Sequence, residues 1–344
     1  MKKMRWTYLA LMLLVAVSAG CRRIELYERT TSVRLDMDFN ISIDYDIDMS
    51  VETDFTDEYL YKINGKHPEY VEILFYDKET NNLVTSSILP PEGGYVSVPT
   101  GEYNLVIYNF GTESTQIDNI QNRLLAEAYT SDITKEMRSR LNAVKNHTNS
   151  ITKVDSRAYE DDPIIYEPDH LYVAREDVSV PSFLDKTSEC RITATAETIV
   201  EVYSMEVLGV TGAENIERVD AFITGQIRSK YFATEDINEA PATLYITMSP
   251  DPVNNRLYTV FGTFGKLTGE ENHVYLDITV TDSGGGQYRY IYDVTDQFDD
   301  TANDNKKIHI DGSQIDIPEA LHGGGGIDPS VGEWEEETIE VPLG

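Results

Sequence analysis

The sequence predicts an all-β protein of two tandem antiparallel β-sandwich domains, with a short helical excursion in the first. Residues 33–51 alternate apolar and polar side chains without a break. Short apolar runs separated by glycine and proline turns follow, and a second series of such runs begins at residue 191. A helix would scatter an alternating pattern around its axis, so period two indicates strands, and short strands at this spacing are typical of sandwiches.

The first twenty residues have the composition of an export signal. Residues 1–5 carry three basic side chains, and residues 6–17 form an apolar run of twelve residues. A helix needs about twenty residues to cross a bilayer, so this run is too short to be a membrane span. Small residues then lead to Cys21, and we therefore predict a signal peptide over residues 1–20.

Cys21 is the predicted lipidation site. It follows Ala19 and Gly20, an order that resembles the lipobox of bacterial lipoproteins, whose cysteine carries a diacylglycerol and an acylated amine, with palmitate as a typical acyl chain. Each buried methylene adds about 0.8 kcal/mol to membrane binding, so several chains anchor a protein firmly. The alternative is a soluble secreted protein with an incidental Cys21. If Cys21 is lipidated, Cys190 has no disulfide partner, and we predict that it is a small buried apolar residue.

The long alternating segment, residues 33–51, is the strongest strand signal. Nineteen residues at about 3.4 Å each would extend roughly 65 Å, so the segment must bend between sheets, pair along a long edge or project from its domain. Aspartates on one face suggest a Ca²⁺ site, but same-face neighbours about 7 Å apart do not converge on one ion. A solvated face is favoured, and weak cation binding stays open. These aspartates are Asp36, Asp38, Asp44, Asp46 and Asp48.

Later parts of the first domain combine strands with a change of period. Strand-like runs cover residues 70–76, 83–89, 95–98 and 102–109. Over residues 115–144 the apolar residues recur at three and four, which predicts two short amphipathic helices. Their apolar positions are Ile117, Ile120, Leu124, Leu125 and Ala128 in the first helix, and Ile133, Met137, Leu141 and Val144 in the second.

The predicted boundaries place the N-terminal sandwich at residues 21–182 and the C-terminal sandwich at residues 183–322. Residues 323–344 form a glycine-rich joint and a C-terminal edge strand. Ile339, Val341 and Leu343 share one face of that strand. Because proline has no N–H, Pro342 restricts the tail to edge pairing.

Charge and motifs exclude several kinds of function. Lys and Arg number 28 against 60 Asp and Glu, which gives a net charge of −32. Nucleic-acid affinity comes from neutralising phosphates with cations, so a nucleic-acid partner is excluded. The sequence has no HExxH or CxxC motif, and Asp282-Ser283-Gly284-Gly285 is best explained as a hairpin turn. We therefore predict no catalytic, cofactor-binding or metal-binding residues, and no enzyme.

Several stretches taken together resemble the fimbrillin superfamily of type V pili, particularly its lipoprotein anchor and accessory subunits. They are the lipobox at Cys21, the early alternating strand, residues 98–103, residues 167–172 and residues 324–335. The resemblance implies two tandem transthyretin-like sandwiches. It also implies that polymerising subunits are cut after an arginine near the first strand, which opens a groove for a neighbour's donor strand. Anchor subunits keep that strand. Here the candidate cut sites are Arg23, Arg29 and Arg34.

The resulting hypothesis is an outer-membrane lipoprotein at the cell surface that acts as a fimbrial anchor or accessory subunit. Its partners would be pilin subunits, docked by β-strand pairing, and the membrane, reached through the lipid. Residues 33–51 and the tail at Ile339, Val341 and Leu343 have the alternation that a donor strand needs, and either could instead close its own sandwich. The alternative function is a surface glycan-binding lipoprotein of a nutrient-uptake system, with Trp334 and exposed tyrosines as stacking platforms.

Overall fold

The structure is a computed structural model that describes residues 30–39, 67–135, 149–150, 162–181, 190–234, 236–269, 272–299 and 306–319. Across these residues the chain forms eighteen strands, a single 3-10 turn (Ala213–Asn215) and the short helix α1 (Thr295–Asp299). The all-β prediction is confirmed. No helix in the described part is long and apolar enough to cross a membrane.

The first sheet has seven strands and encloses a core of its own. Its strands, in spatial order, are β3 (Leu83–Leu89), β2 (Tyr70–Asp77), β5 (Gly101–Phe110), β10 (Tyr172–Val180), β11 (Cys190–Thr198), β1 (Thr30–Phe39) and β4 (Gly93–Pro99). Only two residue pairs join β10 to β11. The strands on either side of that junction contribute to one buried cluster, so the sheet folds over at this point.

The second sheet has eleven strands. Its main path is β18 (Lys307–Asp311), β12 (Glu201–Leu208), β15 (Arg256–Thr263), β14 (Ile237–Asp251), β13 (Ile216–Lys230), β16 (Tyr275–Asp282), β17 (Gln287–Asp293) and β8 (Asn149–Ser150). Three short strands pair beside this path, namely β6 (Thr115–Asp118), β7 (Glu127–Thr130) and β9 (Ile164–Ile165).

Most neighbouring strands are antiparallel, as predicted, but the pairs β1–β11, β12–β18, β9–β14 and β8–β17 are parallel. Parallel neighbours cannot be joined by a hairpin and need a long connection. In each of these pairs the two strands are far apart in sequence, so no short turn dictates their relative direction. Spacing and turn signals along the chain could not predict these pairings.

The two sheets share a buried cluster, which we call the junction cluster. Strands β2, β5 and β10 bury one face in the core of the first sheet and the opposite face against strands β12, β13 and β15. Alternate residues of β2 show the division, because Phe75 faces the first core and Tyr76 faces the junction. The largest fully buried junction residues are Leu74, Tyr76, Phe232 and Phe264.

The predicted helix over residues 117–128 is wrong, because this segment is the strand pair β6–β7 with a turn between them. Asn119 has a positive φ of 57°, which interrupts a right-handed helix. The turn is held by tertiary bonds, since Leu83 N donates to Gln121 O at 3.0 Å and Arg123 N donates to Asn81 O at 2.8 Å. Pairing of β7 with β13 supplies backbone hydrogen-bond partners that a helix would have found within the same segment.

The second predicted helix cannot be compared over most of its length, because residues 136–148 lie outside the described residues. Within the described part, Ile133 is buried beside Phe222 and Tyr245. The predicted domain boundary between residues 182 and 183 also lies outside the described residues and stays a prediction. β11, which follows this boundary in the chain, pairs in the first sheet, while β7, β8 and β9, which precede it, pair in the second.

We expect Phe232→Ala to lower the free energy of unfolding by about 3–5 kcal/mol, because it leaves a cavity in the junction cluster. The Phe232 ring is fully buried and meets the Tyr108 ring edge-on at 5.0 Å. Urea denaturation monitored by circular dichroism measures the change. Leu124→Ala is the control, because Leu124 is 51% exposed and its truncation should change stability by less than about 0.5 kcal/mol. Equal effects of the two substitutions would contradict a packed junction.

Candidate functional site: the first strand and its groove

Strand β1 lies between β4 and β11, paired on both sides. It runs antiparallel to β4 from Thr30↔Pro99 to Asp36↔Gly93, and parallel to β11 from Val33↔Cys190 to Phe39↔Ala196. The alternation predicted from the sequence is confirmed at its centre, where Val33 and Leu35 are both fully buried. The continuation over residues 40–51 lies outside the described residues.

We call the space between β4 and β11, filled here by β1, the β1 groove. Its floor is the first core, built from alternate residues of the facing strands. The backbone of β4 comes unusually close to that of β1, because a Cβ on Gly93 would stand 2.0 Å from the Leu35 carbonyl oxygen. Gly93 also has a φ of +92°, a conformation that L side chains rarely adopt. Glycine at this position therefore lets β4 close against β1.

A polar cluster on the outer face, which we call the β1 staple, ties the three strands together. Arg34 of β1 and Arg191 of β11 stand opposite each other in the ladder, where like charges repel. Asp36 lies beside both. Its carboxylate accepts a hydrogen bond from Arg34 Nε at 3.1 Å and another from Arg191 Nε. The Arg34 guanidinium also lies 5.9 Å from the centre of the Tyr95 ring on β4.

These contacts set the ionisation of the staple. Desolvation alone would raise the pKa of Asp36, but the hydrogen bonds and charges of Arg34 and Arg191 outweigh it and hold that pKa below its ordinary value. A carboxyl with a lowered folded-state pKa stabilises the fold above its unfolded pKa, and that stabilisation is lost as the pH falls through the folded value. The staple is therefore intact at neutral pH and weakens only in acid.

Cys190 stands opposite Val33 in the parallel ladder and is a free, half-buried thiol. It packs against the first core, and desolvation raises its pKa. A raised pKa keeps the thiol protonated at neutral pH, whereas nucleophilic cysteines need a lowered one. This environment agrees with the interpretation of Cys190 as a small apolar residue, although its burial is partial.

The remaining predicted site residues do not meet the β1 groove in the described structure. Of the three candidate cut sites, Arg34 lies in β1, whereas Arg23 and Arg29 lie outside the described residues. Also outside them are the lipidation site and the C-terminal residues, namely Cys21, Trp334, Ile339, Val341 and Leu343. Sequence reasoning missed the roles of Asp36 and Arg191 in fixing β1. They are 155 positions apart, and only the tertiary fold brings them together.

Comparison with models of known families gives a match to a large part of the chain. The family model described as "Domain of unknown function (DUF5119)" matches residues 48–247, which is more than half of the chain. The matched range begins after β1 and includes strands of both sheets.

A curated relative and two solved structures extend this comparison. The relative, from Bacteroides ovatus, is named "Putative fimbrium anchoring subunit Fim4B" and is 27% identical over 132 residues, which is 38% of this chain and 34% of the relative. The match thus spans about a third of that protein. This relative confirms the resemblance to fimbrial anchor subunits noted in the sequence.

One solved structure shows the fold, and a second is less similar. A crystal structure from Bacteroides ovatus described as a "putative adhesin" superposes with a TM-score of 0.53 at 19% identity, covering 87% of this chain and 99% of that one. The fimbrial anchor protein Mfa2 from Porphyromonas gingivalis gives a TM-score of 0.44 at 12% identity, covering 81% of this chain and 90% of that one.

We expect trypsin to spare the bond after Arg34 in the native protein, because a protease must bind its substrate as a free extended segment and β1 is paired on both sides. Asp36→Ala should speed this cut several-fold, since it leaves Arg34 and Arg191 facing each other without a carboxylate. Mass spectrometry of new N-termini beginning at Leu35 measures the rate. Asp177→Ala is the control, because it removes an exposed ion pair with Lys78 in the same sheet. Early cleavage after Arg34 in the unmodified protein would contradict a closed groove.

Proposed function

The chain belongs to the DUF5119 family, a domain of unknown function, and from that premise we propose that it is a non-enzymatic fimbrial anchor or accessory subunit. The observation that carries the proposal is β1, which occupies its own groove with pairing on both sides. A subunit can receive a neighbour's strand only into an open groove. A subunit that fills its groove with its own strand can donate but cannot receive, which suits one end of a fibre.

The name of the curated relative supports the same assignment, because it describes a fimbrium anchoring subunit. We place the chain at the cell surface, tethered to the outer membrane through lipid on Cys21. Several acyl chains would hold it there against the pull of a fibre. The net charge of −32 fits this role, since like-charged copies repel and do not aggregate on the membrane.

The proposed docking element is the C-terminal tail at Ile339, Val341 and Leu343. A donated strand gains affinity from backbone hydrogen bonds and selectivity from alternate side chains that enter pockets. These three residues alternate with polar or small ones, and the glycine run at residues 323–326 would let the tail extend from the body. Pro342 cannot donate a backbone hydrogen bond, so it sets the side from which the tail is paired. The partner is a fimbrial subunit whose groove is open.

We expect Ile339→Asp combined with Val341→Asp to release fimbriae from cells, because two charges cannot enter apolar pockets. Glu340→Gln is the matched control, since it changes the opposite face of the same segment and should leave fimbriae attached. Immunoblots of fimbrial protein in cell and medium fractions give the readout, with Cys21→Ser as the reference for a chain that has lost its tether. Crosslinking on intact cells should capture a fimbrial subunit with the parent chain and not with the double variant. Normal retention and crosslinking in the double variant would overturn the proposed docking element.

We expect a disulfide between Val33→Cys and Cys190 to leave fimbrial attachment unchanged, because β1 stays in its groove in an anchor. The two positions are in register on neighbouring strands, about 4.8 Å apart, within the range a disulfide can span. Diamide forms the bond, gel mobility before and after reduction confirms it, and Val33→Cys with Cys190→Ser is the control. If oxidation abolished attachment and reduction restored it, β1 would have to leave the groove, and the chain would be a polymerising subunit.

A further inference from the structure

A cleft of about 550 Å³ opens beside strands of the second sheet, away from β1. One wall is the segment over residues 166–170, which leads into β10. The others come from β12, β14, β15 and the loop at Ser114. Its volume lies within the range of small-ligand sites, about 300–1,000 Å³. No residue of β1, β4 or β11 lines the cleft, so it is separate from the groove on which the proposed function rests.

The walls of the cleft are fixed before any ligand enters. Glu167 accepts a hydrogen bond from Gly262 N at 3.3 Å, and a Cβ on Gly262 would stand 3.1 Å from the Pro168 carbonyl oxygen. Asp169 accepts hydrogen bonds from the backbone N–H groups of Ser114 and Thr115. A site whose walls are already ordered loses little conformational entropy on binding.

Two tyrosines give the cleft an aromatic wall. The rings of Tyr166 and Tyr245 are 6.2 Å apart at 78°, an edge-to-face pair. Tyr245 is held by its hydroxyl, which donates to Asp220 Oδ1 at 2.8 Å. Tyr166 is held by its backbone, because its carbonyl accepts a hydrogen bond from Thr130 Oγ1 at 2.8 Å. The half-buried Tyr166 ring packs against Tyr245 and gives the lining of the cleft an apolar surface.

The polar lining of the cleft selects against negatively charged ligands. It contains three carboxylates (Glu113, Glu167 and Asp169) and several hydroxyls, and no lysine or arginine. A phosphate, a sulfate or an acidic sugar would find no lysine or arginine to neutralise it. Within the described residues no three or more His, Cys, Asp or Glu side chains are grouped so that they could hold a metal ion. A basic side chain could meet the carboxylates, but two of them already accept backbone hydrogen bonds, and such a ligand would leave the hydroxyls and the aromatic wall unused.

We propose that this cleft binds a neutral glycan, with one or two sugar residues held between the Tyr166 ring and the acidic rim. Each sugar hydroxyl both donates and accepts, so it can use carboxylate acceptors and hydroxyl donors together. The apolar face of a sugar ring covers the tyrosine. This activity goes beyond fibre anchoring, and it needs neither Trp334 nor the C-terminal tail.

The test uses the full mature chain on an array of neutral, sialylated and sulfated oligosaccharides, with octalysine peptide as a further probe. We expect binding to at least one neutral glycan. Tyr166→Ala should weaken it at least about tenfold, because it removes the aromatic surface, whereas Tyr166→Phe should keep it within about twofold. Tyr70→Ala is the matched control, since Tyr70 is 53% exposed and lies outside the cleft.

Glu113→Ala keeps the test decisive if Tyr166→Ala is poorly folded, because Glu113 is an exposed rim residue and its loss should weaken binding several-fold. Thermal unfolding of each variant identifies folding defects. The proposal is overturned if no neutral glycan binds, if only octalysine or acidic glycans bind, or if neither Glu113→Ala nor a folded Tyr166→Ala weakens binding. Trp334→Ala should have no effect, and loss of binding in that variant would place the glycan site on the tail instead.

Discussion

The structure depends on one layer of strands that is buried on both faces. β2, β5 and β10 supply one side to the core of the first sheet and the other to the junction cluster. A strand with two buried faces needs a nearly continuous apolar run, and residues 70–76 have one. The arrangement joins the two sheets through hydrophobic contact. Among the described acidic residues only Asp220, Asp277 and Asp282 are buried, so water solvates most of the negative charge of a chain whose net charge is −32.

The sequence predicted most strands because each is specified by its own residues. Alternation at residues 33–39, the apolar run at residues 70–76 and the turn before β17 all carry local signals, and the structure has strands at each place. The helical interpretation of residues 117–128 failed for the opposite reason. Spacing of three and four fits a helix locally, but β7 gains its backbone partners from β13, about one hundred residues later. Local periodicity cannot report a partner that is distant in sequence.

The β1 groove was likewise predictable only where the signal is local. Residues 33–51 drew attention as a strand, and the resemblance to fimbrillins identified a first strand and its groove as the functional element. The sequence could not show that β11 is the parallel neighbour, or that Asp36 bridges Arg34 and Arg191. In the sequence, the aspartates of this face suggest cation ligands. Asp36 instead neutralises two arginines, and these three residues meet only because the chain folds. The cleft beside Tyr166 likewise unites residues of several distant segments.

The parallel register of β1 and β11 has a mechanical consequence. Seven residues of β1 are in register with β11 and seven with β4, and the hydrogen bonds of both ladders lie across the strand axis. Tension applied to the N-terminus along β1 therefore loads both ladders in shear. All the bonds must yield together, whereas a peeling force would break them one at a time. A strand held in this way resists traction far better than its modest length suggests.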